Sequence, residues 1–143
     1  VARPWPIDGF KGDNCLSAGS ITMNLLVYDT LLRVPESGEG TAPGLAESVT
    51  YDEASLSYNI KLREGLTFSD GSDLTAEDVV FSIDQWRTGP FNGVLYGSIT
   101  SAEVVDDLNV KVNLAAPDAV LPYLFMWCNS TVYPKDFGCL TGD

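Results

Sequence analysis

The sequence has no histidine, and its eight basic residues face twenty acidic ones, which gives a formal net charge of −12. Histidine is the commonest general base and metal ligand near neutral pH, so a hydrolase or a zinc site would have to use carboxylates or thiols alone. An acidic surface also repels phosphate groups and anionic lipid headgroups. We therefore expect neither a nucleic-acid partner nor a membrane-surface partner.

Long apolar runs are also missing. No stretch approaches the roughly 18 apolar residues that a membrane span requires. The longest apolar run, residues 119–128, is interrupted by Pro122 and predicts a buried helix. A length of 143 residues and a hydrophobic content of 45% suit one soluble globular domain. We therefore expect no direct membrane insertion of this chain, and nothing in the sequence calls for a cofactor or a metal.

Cysteine is scarce, since Cys15, Cys128 and Cys139 are its only occurrences and lie too far apart for a CxxC pattern. Cys128 could pair with Cys139 or with Cys15, and either disulfide leaves one thiol over. The chain begins at Val1 without a signal peptide, so a signal was removed or the chain is an excised piece. Its last residues, DFGCLTGD, follow a strand-like segment directly and favour the excised piece.

The first half of the chain predicts a helix, a hairpin and a tight turn. Residues 17–31 have apolar positions at helical spacing, with Ser17 or Ser20 available as N-cap. Residues 45–50 and 56–62 flank the turn sequence YDEAS, and the second arm alternates apolar and polar side chains as a strand with one buried face does. A tight turn follows at Ser69-Asp70-Gly71.

The stretch LTAEDVVFSIDQW predicts a second helix with a defined start. Thr75 stands at the N-cap and Asp78 three residues later, close to the capping-box pattern. Acidic side chains in the first turn also favour the positive end of the helix dipole. The predicted buried stripe consists of Val79, Val80, Ile83 and either Trp86 or Arg87. We interpret the acidic residues here as structural.

The second half predicts a loop, a hairpin and a short helix. Residues 88–98 lack periodicity, residues 99–105 and 109–114 flank the turn sequence DDLN, and Asp118 caps a helix that runs to about Trp127. The segment STVYPKDF then leaves as a strand. Hairpins joined to three helices predict an α+β (mixed α/β) fold around antiparallel strands.

Two other interpretations of the carboxylates are weaker. The cluster of Asp70, Asp73, Glu77 and Asp78 offers oxygen ligands for calcium, but the spacing and the closing glutamate of an EF-hand are missing. Paired carboxylates for glycosidic chemistry require a cleft and a raised pKa. Asp106-Asp107 instead fits a hairpin turn, and we expect no enzyme activity.

Several segments together resemble one family, the extracellular solute-binding proteins of ABC importers, family 5, which includes dipeptide-, oligopeptide- and nickel-binding proteins. The matching segments are VYDTLL at 27–32, PGLAESVTYDEASLSYNIKLREGLTFSDGSDLTAEDVVFSI at 43–83, SAEVVDDLNVKVNLAAPDAVL at 101–121 and VYPKDF at 132–137. The order Leu-Arg-x-Gly, Phe-x-Asp-Gly and Leu-Thr-Ala-Glu-Asp-Val is the most specific part of the resemblance.

The resemblance implies a longer parent protein with two lobes that close over a solute, as in the type II periplasmic-binding-protein fold. This chain would supply part of the first lobe in residues 1–42, a smaller N-terminal subdomain in residues 43–137 and a truncated linker in residues 138–143. A peptide or other small polar solute and an ABC permease are the implied partners. The implied location is periplasmic or extracellular, free or lipid-anchored.

Family analogy and composition together nominate three groups of ligand-binding residues, Ala18-Gly19-Ser20 at the first helix, Phe91 and Tyr96 in the aromatic loop, and Trp127-Cys128-Asn129 after the third helix. Flat apolar walls with a few fixed polar groups suit a pocket for a flexible solute. Two alternatives stay open: the aromatic side chains anchor the loop and the helix to the core, or the chain is a stand-alone protein–protein interaction module with an aromatic docking loop.

Overall fold

The computed structural model describes residues 18–89 and 92–135. Its helices are α1 (Ala18–Val27), α2 (Ala76–Thr88) and α3 (Leu121–Leu124), followed by one 3-10 turn (Cys128–Ser130). Its strands are β1 (Leu32–Arg33), β2 (Ala42–Pro43), β3 (Ala46–Asp52), β4 (Ser57–Leu62), β5 (Ile99–Asp106) and β6 (Asn109–Leu114). The predicted mixed α/β fold with antiparallel hairpins and three helices is confirmed.

The main sheet has four antiparallel strands in the order β3-β4-β6-β5. One face carries the alternating apolar side chains of the two central strands, Tyr58, Ile60, Leu62, Val110, Val112 and Leu114, all of which are buried. Helix α2 packs over this face against β5 and β6. The opposite face carries polar residues such as Asn59 and Lys61, which are exposed. The period-two pattern therefore places one side of the sheet in the core.

Aspartates close three exposed turns. Asp52 accepts a hydrogen bond from the Ala54 amide (3.0 Å), Asp70 from the Ser72 amide (2.9 Å) and Asp106 from the Leu108 amide (3.0 Å). Hydrogen bonds from neighbouring side chains and amides stabilise the charged carboxylates, so the pKa of each is below its ordinary value. These turns fix the hairpins that were predicted from Asx-type turn residues.

Helix α2 begins as predicted, with Thr75 at its N-cap. The Asp78 carboxylate accepts hydrogen bonds from the Thr75 amide (2.9 Å) and the Thr75 hydroxyl (3.2 Å). Val79, Ile83 and Trp86 are fully or almost fully buried, whereas Arg87 is only half-buried and pairs with Asp84. The buried stripe of the helix therefore includes Trp86.

Helix α1 ends four residues earlier than predicted. Its last helical hydrogen bond runs from the Tyr28 amide to the Asn24 carbonyl (2.8 Å). Thr30 then pairs with Thr131 as an isolated antiparallel bridge, and the Leu31 carbonyl accepts the Gly44 and Ala46 amides. The chain is extended at residues 30–32 because it has backbone partners on both sides, which helical periodicity cannot show.

The third helix and the strand after it are also shorter than predicted. Asp118 accepts the Val120 and Leu121 amides as an N-terminal cap, but α3 ends at Leu124 and not near Trp127. The Leu124 carbonyl accepts the Ser130 hydroxyl (2.5 Å) and the Trp127 amide (3.0 Å), so the backbone turns back on itself. In place of a strand, the described residues beyond 130 contain only the bridge at Thr131.

The apolar run at 119–128 is buried on one side only. Leu121, Leu124 and Phe125 lie in the core, while four residues of the run are exposed: Ala119, Val120, Tyr123 and Trp127. Among residues 18–89 and 92–135, no helix has the length and apolar content needed to cross a bilayer.

Candidate functional site

Three segments of the chain meet at one end of the core. The 3-10 turn contacts both α1 and α2. It is joined to the turn at residues 92–98 by a hydrogen bond of 2.9 Å from the Asn129 side-chain amide to the Asn92 side-chain carbonyl. Both asparagines are buried. The structure therefore brings α1, the turn at 92–98 and the 3-10 turn together, and we call residues 92–96 and 127–130 with α1 the loop cluster.

Tyr96 belongs to the core of this loop cluster and not to its surface. Its side chain is fully buried, with its ring centroid 5.8 Å from that of Trp86. Its hydroxyl lies 2.5 Å from the Ser130 hydroxyl, which itself donates to the Leu124 carbonyl. This burial corrects the prediction that Tyr96 faces a solute. The ring instead anchors the turn at 92–98 to the core.

Trp127 has the opposite environment, because 55% of its surface is exposed. It directly precedes Cys128, which is half-buried, and Asn129, which is only 9% exposed. The indole therefore offers an apolar surface at the rim of the loop cluster, next to fixed side-chain amides. The proposed ligand contacts at Trp127, Cys128 and Asn129 stay a prediction.

The remaining nominated residues lie at the start of α1 or outside the described part. Ala18, Gly19 and Ser20 stand at the start of α1. Phe91 lies outside the described residues, as do the N-cap candidate Ser17 and two cysteines, Cys15 and Cys139. The disulfide alternatives that involve Cys128 therefore stay predictions.

Helix α2 positions the segment that follows the 3-10 turn. The Trp86 indole N–H donates to the Thr131 carbonyl (3.1 Å), the Ser82 hydroxyl accepts from the Tyr133 amide (2.9 Å), and Asp78 accepts from the Lys135 amide (2.9 Å). Four helical residues rise about 6.0 Å. Two extended residues span about 6.6 Å. Every fourth helix residue can therefore meet every second residue of the extended segment.

Sequence reasoning missed this helix-to-segment contact. The signal that could have found it is the spacing of Asp78, Ser82 and Trp86, three residues with polar atoms at intervals of four on the buried side of a helix. A buried polar atom needs a hydrogen-bond partner. The sequence gives no sign of which segment supplies it. Residues 131–135 supply it here, and the loop cluster is thereby held against α2.

The acidic cluster has the structural role that the capping interpretation assigned to it. Asp70 closes a turn through Ser72, Asp78 caps α2, and Glu77 forms an ion pair with Lys135. Within the described residues, no group of three or more acidic or thiol side chains is arranged to hold a metal ion.

A separate groove of about 570 Å³ lies between the end of α1 and the turn that follows Phe68. Its walls are mainly apolar and include Val27 and Leu66. Arg63, Asp29 and Asp70 supply its charged atoms. Of the nominated residues whose side chains the structure describes, Tyr96, Trp127, Cys128 and Asn129, none lines this groove.

Comparison with known proteins agrees with the architecture. A model of the family described as bacterial extracellular solute-binding proteins, family 5 (middle), matches residues 40–138, well over half of the chain. The glutathione-binding protein GsiB of Escherichia coli strain K12 is 38% identical over 77 residues, which are 51% of this chain and 15% of that protein. The match to curated relatives thus spans a small part of their length.

Two solved structures show the same fold over nearly the whole chain. NikA from Brucella suis, in complex with Fe(III)-EDTA, superposes with a TM-score of 0.79 at 26% identity, covering 92% of this chain and 27% of that one. The oligopeptide-binding protein AppA from Bacillus subtilis, in complex with a nonapeptide, superposes with a TM-score of 0.77 at 25% identity, covering 88% and 25%.

Proposed function

The chain belongs to the bacterial extracellular solute-binding proteins of family 5, and from this premise we propose that it supplies one wall of the solute cleft in an ABC importer's binding protein. The solute is a peptide or a similar small polar molecule, captured outside the cytoplasmic membrane and delivered to the permease. The family is one of binding proteins, and the chain itself performs no reaction. The periplasm is the proposed compartment.

The observation that carries this proposal is the convergence of α1, the turn at 92–98 and the 3-10 turn in one loop cluster. Trp127 offers a flat apolar surface at its rim. The buried, bonded pair of Asn92 and Asn129 lies behind it, and the first turn of α1 is the third segment of the cluster. Apolar walls with a few fixed polar groups are typical of pockets for small solutes.

The relatives support a peptide-like solute. GsiB is named for glutathione, a tripeptide, and AppA holds a nonapeptide. NikA holds a metal chelate, so the same fold also takes compact polar solutes that are not peptides. Peptides present amide groups that backbone and asparagine amides can pair with, and apolar side chains that an indole can cover.

The proposed mechanism is closure of two lobes over the solute. A ligand shifts an equilibrium between open and closed states only by its difference in affinity for the two. The chain covers about a quarter of the length of the solved relatives, so it supplies one side of the cleft. We expect the 143-residue chain alone to show no saturable solute binding.

The test is solute titration of the intact gene product, with reduced glutathione and a panel of dipeptides and tripeptides as probes. Binding is followed by calorimetry and by tryptophan fluorescence. Trp127→Ala should weaken binding about fivefold or more, because aromatic anchors contribute more than about 1 kcal/mol at such sites. Tyr51→Ala is the matched control, since Tyr51 is also partly exposed but lies on β3, away from the loop cluster.

Two outcomes contradict the proposal. Unchanged affinity in Trp127→Ala would remove the indole from the cleft wall. Saturable binding of the same probes by the 143-residue chain alone would show that one side of the cleft is sufficient.

A further inference from the structure

The three segments of the loop cluster come from uncharged stretches of a strongly acidic chain. Residues 14–28, 88–102 and 119–134 contain no aspartate, glutamate, lysine or arginine. Charged residues make up 20% of the whole chain, and the formal net charge is −12. The three stretches are far apart in the sequence, but the fold joins α1, the turn at 92–98 and the 3-10 turn. The uncharged stretches therefore meet at one place in the molecule.

The basic residues that border two of these stretches are already paired. Arg87 directly precedes residue 88 and forms an ion pair with Asp84. Lys135 directly follows residue 134 and forms an ion pair with Glu77. Because both charges are compensated within the chain, neither residue offers an uncompensated cation to an anionic group at the loop cluster.

The exposed side chains on the two turns of the loop cluster are apolar. Val94 is 89% exposed, Leu95 41% and Trp127 55%. Two buried hydrogen bonds, made at residues 92 and 96, tie the turn that carries Val94 and Leu95 to the 3-10 turn that Trp127 precedes. The exposed apolar side chains therefore stand on two segments that are fixed to each other.

We infer that the loop cluster selects solutes by charge, in that it accepts a peptide through an apolar, uncharged side chain and rejects one that presents an acidic side chain there. This inference rests on the solute-binding proposal and narrows its substrate class. Moving a charged group from water to an apolar wall costs free energy unless an opposite charge meets it there. An apolar side chain instead gains free energy by covering Val94, Leu95 and Trp127.

The acidic character of the chain acts in the same direction. Its net charge of −12 creates a negative field that repels anions in solution. Glutathione has two carboxylates and one ammonium group, so it is an anion at neutral pH. The expected solute therefore differs from the one for which the relative GsiB is named, and is a peptide with apolar side chains.

The experiment titrates the intact gene product with three tripeptides that differ only in the central side chain: Ala-Leu-Ala, Ala-Gln-Ala and Ala-Glu-Ala. Their termini are identical, so a difference in Kd, measured by calorimetry at neutral pH, reports the side chain alone. Ala-Leu-Ala should bind about tenfold or more tightly than Ala-Glu-Ala, because the carboxylate loses water without meeting a cation. Ala-Gln-Ala, which has the size of the glutamate peptide without its charge, should also bind more tightly than Ala-Glu-Ala.

A cation placed on the wall should weaken this selection. Val94→Lys puts a positive charge at the most exposed of the three apolar positions, and it should narrow the ratio of the Ala-Glu-Ala and Ala-Leu-Ala Kd values by about fivefold or more. Val94→Met, which is long but uncharged, should leave that ratio within about twofold.

Val105→Lys is the matched control for charge. Val105 is 62% exposed but lies six residues along β5 from Ile99, which is about 20 Å of extended chain. Salt at about 0.15 M screens charges beyond about 8 Å. This variant adds the same charge to the same protein, and the Kd ratio should again stay within about twofold.

The outcomes separate the inference from the proposal on which it rests. Binding of Ala-Glu-Ala or reduced glutathione as tightly as Ala-Leu-Ala would overturn the inference and leave the solute-binding proposal in place. An unchanged Kd ratio in Val94→Lys would also overturn it, because the selection would then come from other surfaces. Failure of the intact protein to bind any of these peptides would contradict the proposal of a peptide solute, and the inference with it.

Discussion

Replacing Asp78 with alanine tests whether the acidic residues are structural. The Asp78 side chain is only 5% exposed and accepts hydrogen bonds from the Thr75 amide, the Thr75 hydroxyl and the Lys135 amide. Two elements depend on it, the start of α2 and the segment that follows the loop cluster. Alanine leaves both backbone amides without the carboxylate.

The expected loss follows from those bonds. Loss of a helix-capping side chain costs about 1 kcal/mol. Each amide left without a partner costs about 1–3 kcal/mol, and the lower end applies to Lys135 because that residue is exposed and water can reach it. The free energy of unfolding should therefore fall by about 2–3 kcal/mol, a large part of the roughly 5–15 kcal/mol of a typical domain. Asp78→Asn should lose about half as much, since its amide retains one acceptor.

The assay is urea unfolding of the chain at 25 °C, followed by circular dichroism and by the fluorescence of buried Trp86. Glu77→Ala is the matched control, because Glu77 is the adjacent acidic residue, also lies in the first turn of α2, and forms an exposed ion pair with Lys135. Exposed ion pairs contribute about 0.2–1 kcal/mol. The control should therefore lose less than 1 kcal/mol.

The capping explanation is refuted if the two variants lose the same free energy within about 0.5 kcal/mol. Stabilisation of the unmodified chain by added calcium, absent in Asp78→Ala, would refute it in a different way, because the carboxylate would then serve a metal. Neither outcome is compatible with an Asp78 carboxylate whose role is to accept hydrogen bonds from the backbone amides of Thr75 and Lys135.

Three further predictions concern backbone packing, the contacts of α2 and pH. Gly44→Ala should lower the free energy of unfolding by about 1–3 kcal/mol in urea unfolding, because a Cβ there would lie 2.5 Å from the Thr30 carbonyl oxygen. Trp86→Phe should cost about 2–4 kcal/mol in the same assay, because it leaves the buried Thr131 carbonyl without its indole donor and removes core volume. The three turn aspartates have pKa values lowered from 3.8, so the stabilisation from their charged carboxylates is complete above pH 3.8 and is lost as pH falls below 3.8 and through their lowered folded-state pKa values. Replacing Asp52, Asp70 and Asp106 by asparagine should make the acid unfolding curve flatter, because asparagine keeps the hydrogen-bond acceptor of each turn but cannot titrate.

The local elements could be predicted because their causes are local. Period-two alternation in β4 and β6, aspartate at the tight turns and the Thr75–Asp78 pair each act within a few residues. These signals located both hairpins and the start of α2, and they defined the mixed α/β class. The family signature in residues 43–83 then indicated the larger architecture.

Element ends were less predictable because they depend on distant partners. The periodicity of α1 continues to Leu32, yet the chain is extended from Thr30 because the backbone of residues 131 and 44–46 pairs with it. The third helix ends early because a serine six residues later bonds the Leu124 carbonyl. The partners of Thr30 and Leu31 lie far along the chain, and helical periodicity carries no information about the Ser130 contact.

The sequence by itself determined the four strands of the main sheet, their turns and the capped helix, because period, turn chemistry and capping are properties of neighbouring residues. Only the tertiary structure decided the environments of the aromatic side chains: Tyr96 was nominated as a solute contact and lies in the core, while Trp127 is exposed. Both belong to apolar stretches, and burial depends on which segments cover them. That cover comes from residues ten or more positions away, such as Trp86 and Ser130 around Tyr96, so it exists only once the chain has folded.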